Sequence, residues 1–179
     1  YVASKFRDVE EILNLLSHFK RVSICFSIEG TGDLYRYIRG GKYQIEDFEK
    51  TLAVYDKLEN VQIMFNVTLQ NYNIFNLPEL HMYLHNLEDK YNRVSANSSF
   101  TTICNKPAYL SPLNIPDDLR DKAIENLSLI SDFDKLVESM KTRVFDPELW
   151  EVFINFTNDL DKMRNDSVVS AIPELKDHF

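Results

Sequence analysis

Val22, Ile24, Phe26 and Ile28 alternate with Ser23, Cys25, Ser27 and Glu29. A period of two predicts a strand with one large apolar face and one small or polar face. Val61, Ile63, Phe65, Val67 and Leu69 alternate in the same way with Gln62, Met64, Asn66, Thr68 and Gln70, which predicts a second strand. Phe100–Asn105 is a third, shorter candidate. Around these runs the apolar residues recur at helical spacing. Phe6, Val9, Ile12, Leu13, Leu16 and Phe19 predict a helix over residues 6–18. Ile45, Phe48, Leu52, Tyr55 and Leu58 predict one over 44–58, and Leu77, Leu80, Leu84, Leu87 and Tyr91 one over 77–91. Asn71–Asn76, rich in asparagine, reads as a loop.

Beyond residue 116 the pattern is helical only. Asp117–Leu127 starts just after a proline with two acids in its first turn. Ser131–Met140 reads as a helix with Ser131 as its N-cap. Asp146 is placed to cap, and Pro147 to open, a long helix reaching Arg164. Ser167–Phe179 is a short tail, and Lys106–Pro116, with three prolines, is expected to be irregular. The chain thus divides into residues 1–116, where strands alternate with helices, and a helical extension over 117–179. Such alternation implies right-handed βαβ units and a parallel sheet. Three strands make either a small open sheet or the later part of a larger barrel.

The polar faces of the two clear strands matter because ligands bind at the C-terminal ends of parallel strands. Ser27 and Glu29 sit there on the first strand, and Asn66, Thr68 and Gln70 on the second. An antiparallel or edge strand with a solvated face is the alternative. All four glycines fall at 30, 32, 40 and 41. Gly30-Thr31-Gly32 is not a dinucleotide fingerprint, because Tyr35 stands where a third glycine is needed. No Lys-Ser/Thr pair makes a phosphate loop. Arg39 follows a short helical stretch, Asp33–Ile38. An arginine near a strand end can hold a carboxylate with two nitrogens. On chemistry alone, a surface arginine paired with a nearby acid accounts for it.

Ser27-Ile28-Glu29-Gly30-Thr31-Gly32, followed by Tyr37-Ile38-Arg39-Gly40, resembles the fourth-strand segment of radical S-adenosylmethionine (radical SAM) enzymes of the twitch type, shortened relatives of the SPASM proteins. Further segments are similar in order and spacing. They are Tyr72-Asn73-Ile74-Phe75 with Leu77-Pro78-Glu79-Leu80, Pro107 with Ile115-Pro116, Leu160-Asp161-Lys162-Met163-Arg164-Asn165, and Pro173-Glu174-Leu175. Together they span essentially the whole chain. The resemblance implies a partial (β/α)₆ barrel of which this chain supplies the later strands. It implies that Ser27 and Arg39 hold the amino-acid end of S-adenosylmethionine, with Glu29 where the family has Asp. It places Asn66, Thr68 and Gln70 near the adenosine or the substrate. Asn73 matches a family asparagine. The reaction implied is generation of a 5′-deoxyadenosyl radical at a 4Fe–4S cluster, acting on a peptide or small-molecule substrate. The family's C-x₃-C-x₂-C cluster motif and its Gly-Gly-Glu segment have no counterpart here and are expected upstream of Tyr1. The stretch after Tyr1 reads as a helix already under way. A non-catalytic α/β binding or interaction module is the alternative from another class.

Composition narrows the rest. A formal net charge of −8 argues against non-specific nucleic-acid binding. No run of eighteen apolar residues suggests a membrane span. Two cysteines, Cys25 and Cys104, are too few for a disulfide scaffold. Both are expected as structural thiols, Cys25 buried in its strand, and a reducing cytoplasm fits them. His81 and His85 are spaced i, i+4. They lack the glutamate of H-E-x-x-H and a third ligand, so they read as half-exposed residues flanking a leucine face. Asp161 and Arg164 read as a structural ion pair or cap.

Overall fold

Three parallel strands lie side by side in chain order in the computed structural model, which describes residues 9–98 and 100–179. Helix α1 (Val9–Ser17) leads to β1 (Val22–Ser27). Helices α2 (Gly32–Ile38) and α3 (Ile45–Tyr55) connect β1 to β2 (Val61–Leu69), and α4 (Leu77–Lys90) connects β2 to β3 (Phe100–Ile103). The helical extension follows as α5 (Asp117–Leu127), α6 (Asp134–Thr142), α7 (Pro147–Arg164) and α8 (Val168–Ala171). The chain is therefore α/β, with an open three-stranded sheet. Phe6, the start of the first predicted helix, lies outside the described residues.

Register explains why alternation was so clear. Val22 pairs with Val61, Phe26 with Phe65 and Ser27 with Asn66, while Thr68 pairs with Thr102 on β3. Paired residues in a parallel sheet point the same way. Val61, Ile63, Phe65, Val67 and Leu69 are all buried beneath helices. Phe48 of α3 meets Phe26 edge-on at 5.8 Å between ring centres and Phe65 at 6.1 Å. Each such ring contributes about 1.5–3 kcal/mol by leaving water. The opposite face stays accessible: Ser23, Cys25 and Ser27 are exposed, and Gln62, Met64, Asn66 and Thr68 are half-buried. Cys25 is thus not buried as expected. Strand parity puts its thiol beside Ser23 and Ser27 on the open face.

Local rules set most helix ends. Gln44 and Asp47 form a reciprocal capping box that starts α3. Asp146 accepts the backbone N–H groups of Glu148 and Leu149 ahead of Pro147, and Asn165 ends α7 in the left-handed region at φ 50°. Ser131 does not cap a helix. It opens a 3-10 turn, Ser131–Phe133, and α6 begins only at Asp134 without a side-chain cap. The tail carries regular structure of its own, since Ser167 caps α8 and a further 3-10 turn spans Pro173–Leu175.

One buried cluster joins residues on both sides of position 116. α5 packs on α4, and α8 packs on α2. Tyr72, just past β2, packs at a tilt against Phe153 of α7 with 5.1 Å between ring centres, and its hydroxyl meets the Thr157 hydroxyl at 2.7 Å. Asp161 and Arg164 converge on Tyr37 of α2. Tyr37 Oη donates to Asp161 Oδ1 at 2.7 Å, and Arg164 Nη1 donates to the Tyr37 carbonyl at 3.2 Å. No helix among the described residues is long and apolar enough to cross a membrane.

Candidate functional site

The chain leaves β1 with Ile28 buried and its N–H bonded to the Asn66 carbonyl at 3.1 Å. Gly30 follows in a tight space, where a Cβ would lie 2.8 Å from Leu34 Cδ2 and require that side chain to shift. Thr31 is tied to the start of α4. Its N–H donates to Asn76 Oδ1 at 2.9 Å and its hydroxyl donates to Glu79 Oε1 at 2.6 Å. These bonds fix where α2 begins. Its seven residues carry the chain outward, and Gly40 and Gly41, at φ 77° and 78°, turn it back. A side chain would strain both positions.

Arg39 lies just before that turn and reaches back to β1. Its Nη2 pairs with Glu29 Oε2 at 2.7 Å and also donates to the Ser27 carbonyl. The guanidinium lies 5.8 Å from the centre of the Tyr35 ring. Arg39 Nε is buried and without a hydrogen-bond partner. Glu29 is only 13% exposed. Burial pushes its carboxyl above the ordinary carboxylate range, and Arg39 offsets this only in part. Burial also raises the Tyr35 phenol.

Ser27 and Arg39 line a cavity of about 540 Å³ together with Cys25, Tyr35, Lys42 and Tyr43. Sequence reasoning did not single out Lys42 and Tyr43. Their position immediately after the glycine pair was the available signal, because a reversed chain brings its next residues back to the strand. Asn66 is the register partner of Ser27 on the open face, and Thr68 lies two residues further along it. Neither lines the cavity. Gln70 is buried at the end of β2. The structure thus brings Ser27, Glu29 and Arg39 together and leaves Asn66, Thr68 and Gln70 along the neighbouring strand. Asn73 acts locally. Its Oδ1 accepts the Gln70 N–H at 2.9 Å, and its Nδ2 donates to the Thr68 carbonyl at 2.8 Å. It terminates β2 and is fully buried.

No protein-family model matches this chain, and neither the curated proteins nor the solved structures yield a match.

The donor set decides which groups this site suits. Arg39 and Lys42, with a serine and two tyrosines, outweigh the carboxylate of Asp47 in the cavity lining, and that set suits a small carboxylate-bearing ligand. An iron–sulfur cluster does not fit these residues. Cys25 is on β1 and Cys104 just past β3, with β2 between them, so two strand spacings of about 4.8 Å separate their strands. Cys104 Sγ rests 3.6 Å from the Lys106 carbonyl. A cluster needs three or four thiolates around one centre, and the chain has two cysteines in all.

Proposed function

We propose that this chain forms the later strands of a radical S-adenosylmethionine barrel and binds the amino-acid end of that cofactor through Arg39 and Ser27. The observation that carries this reading is the return of Arg39, over twelve residues, to the C-terminal end of β1. There its guanidinium borders a cavity that also holds Lys42. The open polar face fits a barrel lumen, and the chain-order parallel sheet fits consecutive barrel strands.

S-adenosylmethionine presents a carboxylate and an ammonium at one end, and with a reduced cluster held by other residues it supplies a 5′-deoxyadenosyl radical. The part of this chain is binding and positioning. Arg39 Nε, buried and unpartnered, is a donor in want of an acceptor. Such a group costs about 1–3 kcal/mol when left bare, so a ligand oxygen there is favoured. Glu29 opposes an arriving carboxylate. Burial, which raises its carboxyl pKa, lowers the cost of taking up a proton as such a ligand arrives. Ser27, exposed at the strand end, adds a neutral hydroxyl.

Isothermal titration of the chain with S-adenosylmethionine tests this. Saturable binding is expected, weakened at least about tenfold by Arg39→Ala, a loss of ~1.4 kcal/mol. Ser27→Ala, at an exposed position, serves as a second variant with an intact fold. Absence of binding, or binding in both variants as tight as in the parent, overturns the assignment.

A second reading has its own observation. Arg39 Nη2 is already engaged by Glu29 and the Ser27 carbonyl. In a non-catalytic α/β binding or interaction module that pair serves only to close the turn between β1 and α2. Arg39→Ala then lowers stability and changes no binding.

A further inference from the structure

A second cluster lies away from Arg39. His81 and His85 stand one turn apart on α4, so both imidazoles fall on one side of the helix. Their ring centres are 4.5 Å apart. The 3-10 turn Ser131–Phe133 comes alongside and delivers Asp132, whose Oδ2 is 3.8 Å from His81 Nδ1. One ligand atom from each of the three residues lies within 4.8 Å of the others. The Phe133 ring packs edge-on against His81 at 5.9 Å and limits its rotation. All three side chains border a cavity of about 390 Å³.

We propose that His81, His85 and Asp132 bind one divalent transition metal of the zinc type, joining α4 to the turn before α6. Two imidazoles and one carboxylate are a donor set that zinc accepts, with bonds of about 2.0–2.2 Å. Magnesium and calcium prefer oxygen throughout and discriminate against it. Around a tetrahedral ion the three ligand atoms would stand about 3.3 Å apart. The observed spacing therefore has to close by roughly one ångström or less per ligand pair at the closest contact and somewhat more at the widest. Asp132 and His85 are 66% and 42% exposed, so both can move that far. The fourth position is left to water or to a ligand in the cavity.

Burial, and then the neighbouring His85, hold the His81 pKa below the ordinary imidazole value despite Asp132. An ordinary histidine–carboxylate ion pair shifts it the other way. A neutral imidazole binds a metal without first losing a proton. The ion would tether α4 to the helical extension, adding to the packing of α4 on α5 and of Phe133 on His81. This inference does not depend on the S-adenosylmethionine reading, and its test uses no cofactor.

The untagged, chelator-treated chain is titrated with zinc chloride near pH 7.5 and followed by calorimetry. Cobalt(II) is added to a parallel sample and its visible spectrum recorded. One saturable equivalent is expected, with cobalt bands of tetrahedral intensity. Asp132→Asn and His85→Gln each weaken binding about tenfold or more, and far-UV circular dichroism confirms that both retain the fold. Zinc in excess raises Tm by a few degrees in the parent and not in Asp132→Asn, because a ligand of the native state alone stabilises it. Lack of saturable binding overturns the site. So does binding that survives both substitutions, which would place the ion at His18, His178 or another surface group.

Discussion

Arg36 holds Asp166 with two nitrogens, Nη1 at 2.7 Å and Nη2 at 3.0 Å, across 130 residues of chain. The pair fixes α2 to the segment between α7 and α8. Asp166 is 12% exposed and Arg36 25%. We expect Asp166→Asn to cost about 1 kcal/mol, the fork geometry lifting it toward the upper end for a partly solvated pair. Arg36 holds the Asp166 carboxyl below its ordinary value of 3.8. A depressed folded pKa contributes stability above the unfolded value, and loses it as pH falls through the folded one. The Tm difference between parent and Asp166→Asn should therefore be constant from pH 7 to about 5 and shrink below about 4. A difference that grows in acid contradicts the assignment.

Glu29 titrates in the opposite sense. Its folded pKa is raised, so it weakens the fold as pH climbs from the unfolded value of 4.5 through the folded one. Arg39→Ala removes its counter-charge and enlarges that effect. The substitution should cost about 1–3 kcal/mol near pH 7.5 and distinctly less near pH 4. Urea unfolding at the two pH values measures it.

Tyr72 and Thr157 share a hydrogen bond between buried hydroxyls. Tyr72→Phe leaves the Thr157 hydroxyl bare, and Thr157→Val leaves that of Tyr72. Each should cost about 1–3 kcal/mol. The double variant should cost less than the sum, because no polar atom is then stranded. Strict additivity would show that the two groups find other partners.

Gly41 has φ 78° and room for a methyl group, which would lie 3.9 Å from Arg36 Nη1, an ordinary van der Waals contact. Gly41→Ala should cost about 1–2 kcal/mol from backbone strain alone. Gly30→Ala acts differently, by pressing on Leu34 and Asn76. Chemical denaturation of the two variants, with Gly41→Asn as the tolerated control, separates strain from crowding.

The strands were legible in the sequence because one sheet face is apolar and the other open, which makes alternation strict from Val61 to Leu69. Their parallel order followed from the helices between them. Asp146 and Pro147 announced α7 through local hydrogen bonding. The exposure of Cys25 was within reach too, since its parity with Ser23 and Ser27 puts it on the open face; the usual burial of a free thiol pointed the other way. The tertiary pairings were not legible. The bond of Arg39 to Ser27 and Glu29 depends on the length and direction of α2, which Thr31 and Asn76 fix from a distance. The approach of Asp132 to His81 and His85 is set by packing of the extension and leaves no trace in spacing. Ser131 looked like a cap because its residue type favours one, yet the backbone there forms a 3-10 turn first.

Tyr37 is held by Asp161 and Arg164, and Arg36 by Asp166. Both anchored residues precede Arg39 by three positions or fewer. The aim of the Arg39 side chain is thus set by a stretch near the far end of the polypeptide. Clipping the chain after α7, by protease or by an early stop codon, would remove Asp166 and α8 but keep Asp161 and Arg164, so α2 would lose its Arg36 anchor while every residue that lines the Arg39 cavity stays in place. Damage at the C-terminus would then present itself, in a binding assay, as a defect of β1.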